Sequence, residues 1–320
     1  MWRRINIRKI TSAVTALARI ILFITLLLSV YLSQRLVHDR FVKVPSGSLR
    51  TIVTQLKADG IDLNELDRYL IYLCGVAKSG LNDFDEANST RLDFYFALIR
   101  GRAAFDEITL LPGETTVIAV AQIASQLGLD KEKLLLEYYS LAPFPEGVLI
   151  PDTYQIVKNS DEKTVMTLLV VRSMKTHKDR AVKAFGRYDA TEWFNIITKA
   201  SIVQKEAANN EEMPLVASVI ENRLNKKMRL QMDGTLNYGE FSHQRVTPER
   251  IRSDGSPFNT YKQRGIPPYP VSLASVEAVR AVLNPPQTDY LYFVRGRDGT
   301  HEFSATYRSH LNNIAEGKKP

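Results

Sequence analysis

The chain has 320 residues, 44% of them hydrophobic and 24% charged, and a formal net charge of +7. That length and apolar share support two folded domains and exclude a chain disordered throughout. The positive balance admits a nucleic-acid binder or a protein facing an anionic membrane or cell wall, but the body of the chain has no zinc-finger spacing, aromatic RNA-binding signature or basic run, so nucleic acid is set aside as a partner.

Arg3, Arg4, Arg8 and Lys9 precede an apolar stretch from Ala13 to Leu32. About 20 apolar residues cross a hydrocarbon core. Arg19 interrupts the run near its basic end, where a long side chain reaches the headgroups. An uncleaved signal anchor is expected, because "YLSQRL" follows the run instead of a small-x-small cleavage site. A cleaved signal peptide is the competing reading, since the uninterrupted part, Ile20 to Leu32, is short. With the basic flank inside, everything after about residue 40 faces outward, the periplasm in a bacterium.

Two similar passages follow, Val44 to Asp62 and Leu111 to Asp130. Each has a β-like lead-in, a Pro/Gly turn, a Ser/Thr, and a helix with apolar spacing that closes at Gly60 or Gly128. Such a unit resembles LysM modules, which bind glycan chains; similarity of structure without that function is the alternative. The single cysteine, Cys74, allows no intrachain disulfide and, beside Tyr72, Leu73 and Val76, reads as a small core residue. Ser89 or Thr90 caps a helix ending before Gly101. Phe144 to Ile156 reads as a Gly/Pro-punctuated loop entering a short strand. A helix is expected from about Glu162 to Ala184.

Asp189 or Thr191 caps the next helix, which runs to about Ala207. At 100° per residue, Trp193, Ile196, Ile197, Ala200, Val203 and Ala207 share one face. Glu206 falls at the border of that face, beside Ile202 and near the helix C-terminus. Apolar neighbours and helix-end carbonyls both disfavour its anion, so its pKa should be raised, as a general acid requires. The competing reading is a surface glutamate paired with Lys199 or Lys205. Pro214 opens another helix, with Leu215, Val216, Val219, Ile220 and Leu224 on its core face and Glu211 and Glu212 at its start. Beyond it, Asn222, Arg223, Gln231, Asp233, Thr235, Asn237 and Tyr238 are side chains suited to hydrogen-bonding sugars. Leu230, Met232 and Leu236 alternate with them, as in a half-buried strand or cleft wall.

"ASIVQKEA", "VASVIENRLNKKMRLQMDGTLNYG", "SPFNTYKQRGIPPYPV", "LNPPQTDYLYFV" and "GTHEFSATYRSH" resemble, in that order, the motifs of the YceG-like endolytic murein transglycosylases (MltG). The resemblance covers Phe41 to the C-terminus and is densest from Glu192 onward. It implies a single-pass inner-membrane protein with a periplasmic catalytic domain. Residues 1–40 would be tail and anchor, 41–110 a LysM-like subdomain and 111–320 the catalytic domain. It implies internal cleavage of nascent peptidoglycan strands with 1,6-anhydro-N-acetylmuramoyl ends, needing no metal or cofactor, with cell-wall synthases as partners. The family's catalytic glutamate falls on Glu206. Where the family often has Asp-Pro-Thr, this chain has Asp233-Gly234-Thr235, and Gly234 is expected to loosen that loop; "GLPPxPI" appears as "GIPPYPV".

Candidate substrate-binding residues are Asn222, Gln231, Asp233, Tyr238, Asn259, Tyr261 and His301. Asn259, Tyr261 and Tyr269 lie in a proline-stiffened loop, where tyrosines either stack on sugars or pack structurally. His301, Glu302 and His310 lack zinc-site spacing; His301 and Tyr307 line the glycan cleft or pack a strand. The fold expected is α+β, with short strands at Leu230 to Met232, Tyr290 to Val294 and Glu302 to Phe303, and a hairpin about Arg297, Asp298 and Gly299. Two other functions stay open: a hydrolase using Glu206 with Asp233, and a glycan-binding anchor protein without activity.

Overall fold

The structure, a computed structural model, describes residues 7–317; Arg3 and Arg4 of the basic flank and the last three residues lie outside them. The fold is α+β, and the chain divides into two compact units, Met1–Phe105 and Asp106–Pro320.

The first unit opens with α1 (Ile7–Leu32). Its segment Thr11–Leu32 has a mean hydropathy of 2.4 and is nowhere buried inside the protein. Then come β1 (Phe41–Val44), α2 (Leu49–Ala58), α3 (Glu65–Cys74), β2 (Gly80–Asp83) and α4 (Arg91–Arg100). Strands β1 and β2 pair antiparallel, Phe41 opposite Asp83 and Val44 opposite Gly80. Local chemistry sets the ends. Ser48 accepts the Thr51 N–H at the start of α2, Asn64 and Asp67 form a capping box on α3, and Thr90 caps α4. Gly101 takes a left-handed conformation that ends α4. At α2 the cap is Asp59, and Gly60 adopts positive φ one residue later. Val42, Val44, Ile52, Leu56, Leu63, Ile71, Phe94 and Leu98 form the core.

Cys74 is not in that core. It is exposed, because α3 buries Asp67 and Ile71 and turns Tyr72, Leu73 and their neighbours outward. Asp67 is buried by design of its partners. Both its oxygens accept from Arg91 Nη1 at 2.7 Å, and Tyr95 and Tyr31 hydroxyls donate to Oδ1. A carboxylate removed from water needs such a cation and such donors.

The second unit begins with a similar order: β3 (Phe105–Thr109), α5 (Thr116–Leu127), α6 (Lys131–Leu141) and β4 (Thr153–Val157), with β3 paired to β4. The two passages of similar sequence thus hold the first helix, α2 or α5, of a strand–helix–helix–strand arrangement. Five further α-helices follow: α7 (Glu162–Phe185), α8 (Ala190–Glu206), α9 (Met213–Asn225), α10 (Pro248–Ser253) and α11 (Val276–Leu283). The hairpin β5 (Tyr292–Arg295) and β6 (His301–Ser304) and a last helix, α12 (Tyr307–Gly317), complete the unit. The hairpin is antiparallel, with Arg295 opposite His301 around the expected Asp-Gly turn.

Helix α8 packs against α9 and α11. Trp193, Ile197, Ala200, Ile202 and Val203 bury against a core that includes Val216, Val219, Ile220, Ala278 and Val282. Trp193 Nε1 donates to His177 Nδ1 at 2.9 Å, and His177 Nε2 meets the Val148 carbonyl at 3.0 Å. Burial pushes the His177 pKa down to about 4. The ring is therefore neutral near pH 7, accepting at Nδ1 and donating from Nε2. This chain of bonds helps fix the helix that ends in Glu206.

Leu230 to Met232 is not a strand. Gln231 has φ of +49°, and the Gln231 and Met232 N–H groups bond to the Thr260 carbonyl and hydroxyl of a loop. The alternation of buried Leu230 and Met232 around exposed Gln231 is real, but a left-handed residue and loop-directed donors prevent a ladder. A single 3₁₀ turn, Asp233–Leu236, follows.

Candidate active site

Asp189 accepts the Glu192 N–H to start α8, and the helix ends at Glu206 with Ala207 as its cap. Glu206 is therefore in the last turn, as its spacing predicts. Neither nearby lysine pairs with it. Lys199 Nζ bridges to Glu221 at 2.5 Å, and Lys205 Nζ donates to Ser242 Oγ at 2.7 Å. The carboxylate is met instead by the Gly234 N–H, 2.5 Å from Oε1. Its other oxygen, Oε2, accepts no hydrogen bond among the described residues. Burial pushes the Glu206 pKa from 4.5 up to about 7. The Gly234 N–H and Arg223 pull it down, while the Asp233 charge adds to the rise.

Gly234 sits hard against α8. A β-carbon there would lie 2.5 Å from Lys205 Cβ and 2.8 Å from Glu206 Oε1. Its role is close backbone approach to the acid rather than a loosened loop. Asp233, beside it, is exposed and accepts the Tyr261 hydroxyl at 2.7 Å. Glu206, Asp233 and Tyr261 thus bring together the end of α8, the 3₁₀ turn and the proline-stiffened loop. Arg223 is buried on α9, where Nε donates to the Leu291 carbonyl at 2.6 Å and Nη1 to the Leu230 carbonyl. It anchors both walls of the site and lends Glu206 a compensating charge.

The other expected residues divide by what their polar atoms do. The Asn222 amide donates to the Thr288 and Tyr290 carbonyls at 2.8 and 2.9 Å. Asn259 is fully buried and donates to the carbonyls of Ile251 and Asp254 while accepting the Tyr261 N–H. Both are committed to the fold. Tyr238 stacks on Phe258 at 4.5 Å, with its hydroxyl 3.2 Å from Asp254 Oδ2. Tyr269 meets Phe258 edge-on, with ring centroids 4.9 Å apart. His301 bonds to Glu212 twice, through its N–H at 2.7 Å and through Nδ1 at 2.6 Å. Glu212 also accepts the Ala208 N–H, which closes the loop after Glu206 and pins it to β6. Gln231 is exposed.

Glu146 escaped the sequence reading. It is buried in the α6–β4 loop, where it accepts the Thr116 N–H at 2.8 Å, the Thr116 hydroxyl at 2.6 Å and the Gly147 N–H at 2.8 Å. It caps α5 from a distance, since Thr115 makes no side-chain cap and instead donates to the Gly239 carbonyl at 2.7 Å. Burial pushes its pKa up to about 7. The available signal was an acid set between Pro145 and Gly147 and followed by the apolar Val148 to Ile150.

The YceG-like family profile matches residues 42–316. The endolytic murein transglycosylase of Bacillus subtilis (strain 168) is 33% identical over 167 residues, 52% of this chain and 46% of that protein. That of Streptococcus pneumoniae (serotype 2) is 31% identical over 182 residues, 53% of this chain and 32% of that protein. The match therefore spans less than half the length of these curated relatives. The crystal structure of a YceG-like protein from Listeria monocytogenes superposes with a TM-score of 0.56 at 25% identity, over 85% of this chain and 98% of that one. The chain belongs to the YceG-like family.

Proposed function

We propose that this protein is an endolytic peptidoglycan lytic transglycosylase with Glu206 as its one catalytic acid. The observation that carries the reading is the Glu206 carboxyl itself, at a helix end, without an ion-pair partner among the described residues and with its pKa raised to about 7. Such a group both gives and takes a proton near neutral pH. The substrate bond is the β-1,4 link from N-acetylmuramic acid C1 to N-acetylglucosamine O4. With Oε1 occupied by the Gly234 N–H, Oε2 carries the proton and delivers it to O4 as the C1–O4 bond breaks. The sugar's own 6-hydroxyl then closes on C1, and Glu206 takes the hydroxyl proton. The C1–O6 bond replaces C1–O4, the acid returns to its starting state and no water is consumed. An intramolecular nucleophile gains from proximity and removes the need for a second carboxylate.

In this reading Asp233, Tyr261 and Gln231 contact the glycan beside the acid, Tyr238 and His301 shape its walls, and Asn222 and Asn259 hold those walls in place. The two strand–helix–helix–strand arrangements support LysM-like modules, the first falling within 41–110. Helix α1 is a membrane anchor, and the catalytic unit faces the periplasm. Retention of the anchor is supported by Tyr31, whose hydroxyl is bonded to Asn64 and Asp67, contacts that cleavage near Ser33 would discard. The partners are nascent glycan strands, the membrane and the synthases that extend those strands.

Glu206→Gln tests the reading. The variant should fold and bind glycan yet lose nearly all cleavage, and the wild-type rate should fall above pH 7 as the acid deprotonates. Retention of more than about a tenth of the activity contradicts the role, because general acid catalysis contributes about 10²–10⁴-fold.

A further inference from the structure

Helix α3 is amphipathic in the wrong sense for a helix that serves only its own unit. Leu66, Tyr69, Tyr72 and Leu73, with Val76 just beyond, are between 48% and 82% exposed. The positions it buries are Asp67 and Ile71. At 100° per residue, Leu66, Tyr69 and Leu73 form one stripe, with Tyr72 at its flank, roughly opposite Asp67 and Ile71. The inward side is accounted for by the Asp67 cluster. The outward side gains nothing from folding, and a contiguous apolar patch of this kind marks an interaction surface.

The occupant follows from what holds the start of α3. Asn64 is its N-cap. The Asn64 side-chain amide donates to the Tyr31 hydroxyl at 2.8 Å, and that hydroxyl donates to Asp67 at 2.9 Å. The Arg91 guanidinium lies over the Tyr31 ring, 4.7 Å from its centroid. Tyr31 is the second-last residue of the apolar segment Thr11–Leu32. Twenty-two helical residues rise about 33 Å, close to the hydrocarbon thickness of a bilayer. A spanning α1 therefore puts Tyr31 at the outer interface and bonds the first turn of α3 to that level. Tyrosines concentrate at this depth, where the ring sits among acyl chains and the hydroxyl meets headgroups. Arg68, which covers the Tyr69 ring at 4.7 Å and bridges Glu65 at 2.7 Å, supplies a cation at the edge of the patch. Its stem suits apolar contact with its head among lipid phosphates.

We infer that the outward face of α3, Leu66–Tyr69–Tyr72–Leu73, lies in the outer interfacial layer of the membrane that α1 crosses. The inference rests on the reading of α1 as a membrane span. A second attachment beside the span resists swivelling of the unit about a single helix.

The one native cysteine supplies the probe. Cys74 is exposed at the end of α3, so the full-length protein can be labelled there with a small environment-sensitive fluorophore and reconstituted into phospholipid vesicles. Nitroxides on the acyl chains, close to the headgroup for the Cys74 label and near the chain end for the mid-span Leu22 label, quench only labels in the membrane; iodide quenches labels in water. A second protein, Cys74→Ser/Leu22→Cys, reports on α1 itself. The expected result is quenching by lipid nitroxide at both positions, with most of the Cys74 quenching lost in Tyr69→Ser/Leu73→Ser and the Leu22 signal unchanged by those two substitutions. Quenching at Leu22 with Cys74 open to iodide overturns the α3 contact and leaves the anchor standing. Quenching at Leu22 with Cys74 shielded from both quenchers also overturns it, in favour of contact with a second copy of the chain. A Leu22 label that lipid nitroxides do not reach removes the span and the inference with it.

Discussion

The arrangements β1–α2–α3–β2 and β3–α5–α6–β4 share an element order, with helices of 10 and 10 residues in the first and 12 and 11 in the second. Each contains a buried carboxylate, but the two are satisfied differently. Asp67 meets the Arg91 guanidinium and two tyrosine hydroxyls. Glu146 meets only neutral donors from Thr116 and Gly147. Their surroundings differ as well. In the first, α3 rests on α2 and α4 and shows its apolar stripe to the outside. In the second, α6 packs under α7, and the loop before α5 is bonded to the segments carrying Gly239 and Leu273. One chain order thus serves twice, once as a unit with an outward face and once as part of the scaffold behind Glu206. What the copies do is decided by the polar groups they bury and the helices that cover them.

The sharpest break in this comparison is Arg91→Met. It leaves Asp67 buried beside hydroxyls and the Asn64 N–H but without a cation, and losing one partner of a buried pair costs about 3–5 kcal/mol. Chemical denaturation should show that loss in the first unit. Replacing both partners, Asp67→Leu/Arg91→Met, should recover much of it, because the penalty belongs to the abandoned charge. A double variant as unstable as the single one would show that the cluster works through shape.

Glu146 should behave in the opposite manner, through pH. Its folded pKa is about 7 against an ordinary 4.5. Between those values the folded protein keeps a proton that the unfolded chain releases. Its contribution is intact below about pH 4.5 and lost as pH rises through 7. A shift of that size corresponds to about 3 kcal/mol. Urea unfolding from pH 5 to pH 8 should show the decline as the difference between Glu206→Gln and Glu206→Gln/Glu146→Gln. The second raised carboxyl is then absent from both, and His177, whose pKa is lowered to about 4 and which pulls stability the other way over this range, is common to both. Adding Glu146→Gln should remove that decline and leave stability rising with pH through His177; an unchanged slope would assign the pH dependence elsewhere.

A smaller effect is expected at Gly234. A methyl group there would press on Lys205 Cβ and Glu206 Oε1. Displacing a catalytic group by about 1 Å costs up to about 10²-fold in rate. Gly234→Ala should lower kcat for glycan-strand cleavage within that range and leave strand binding nearly intact. An unchanged kcat would mean that the acid tolerates a different seat.

The sequence made some of these features readable because they depend on neighbours along the chain. Helix α8, its Asp189 cap and the border position of Glu206 follow from periodicity and capping. The β5–β6 hairpin follows from Asp298-Gly299. What escaped depended on partners distant in sequence. Cys74 reads as buried because its neighbours are apolar, yet Asp67 takes the inward side of α3 once Arg91 and Tyr95 arrive from α4. Leu230 to Met232 alternates like a strand, but its donors belong to Thr260. Glu146 looks like a loop residue until Thr116, thirty positions earlier, is folded onto it. Asn222 and Asn259 look like sugar-binding amides because a sequence does not show which carbonyls will claim them.

The proposed mechanism turns on one acid acting with the sugar's own hydroxyl, and the ends of the cleaved strands report that directly. Purified peptidoglycan strands digested by the wild-type protein and by Asp233→Asn should be compared by mass spectrometry. That mechanism gives anhydro-muramoyl ends, each lighter by one water than a reducing end, from both proteins. Asp233→Asn should be slower, with its alkaline limb moved to lower pH because the Asp233 charge no longer raises the Glu206 pKa. Reducing ends from the wild type, together with loss of turnover in Asp233→Asn as complete as in Glu206→Gln and rescue by azide, would contradict it and make Asp233 the second carboxylate of a hydrolase.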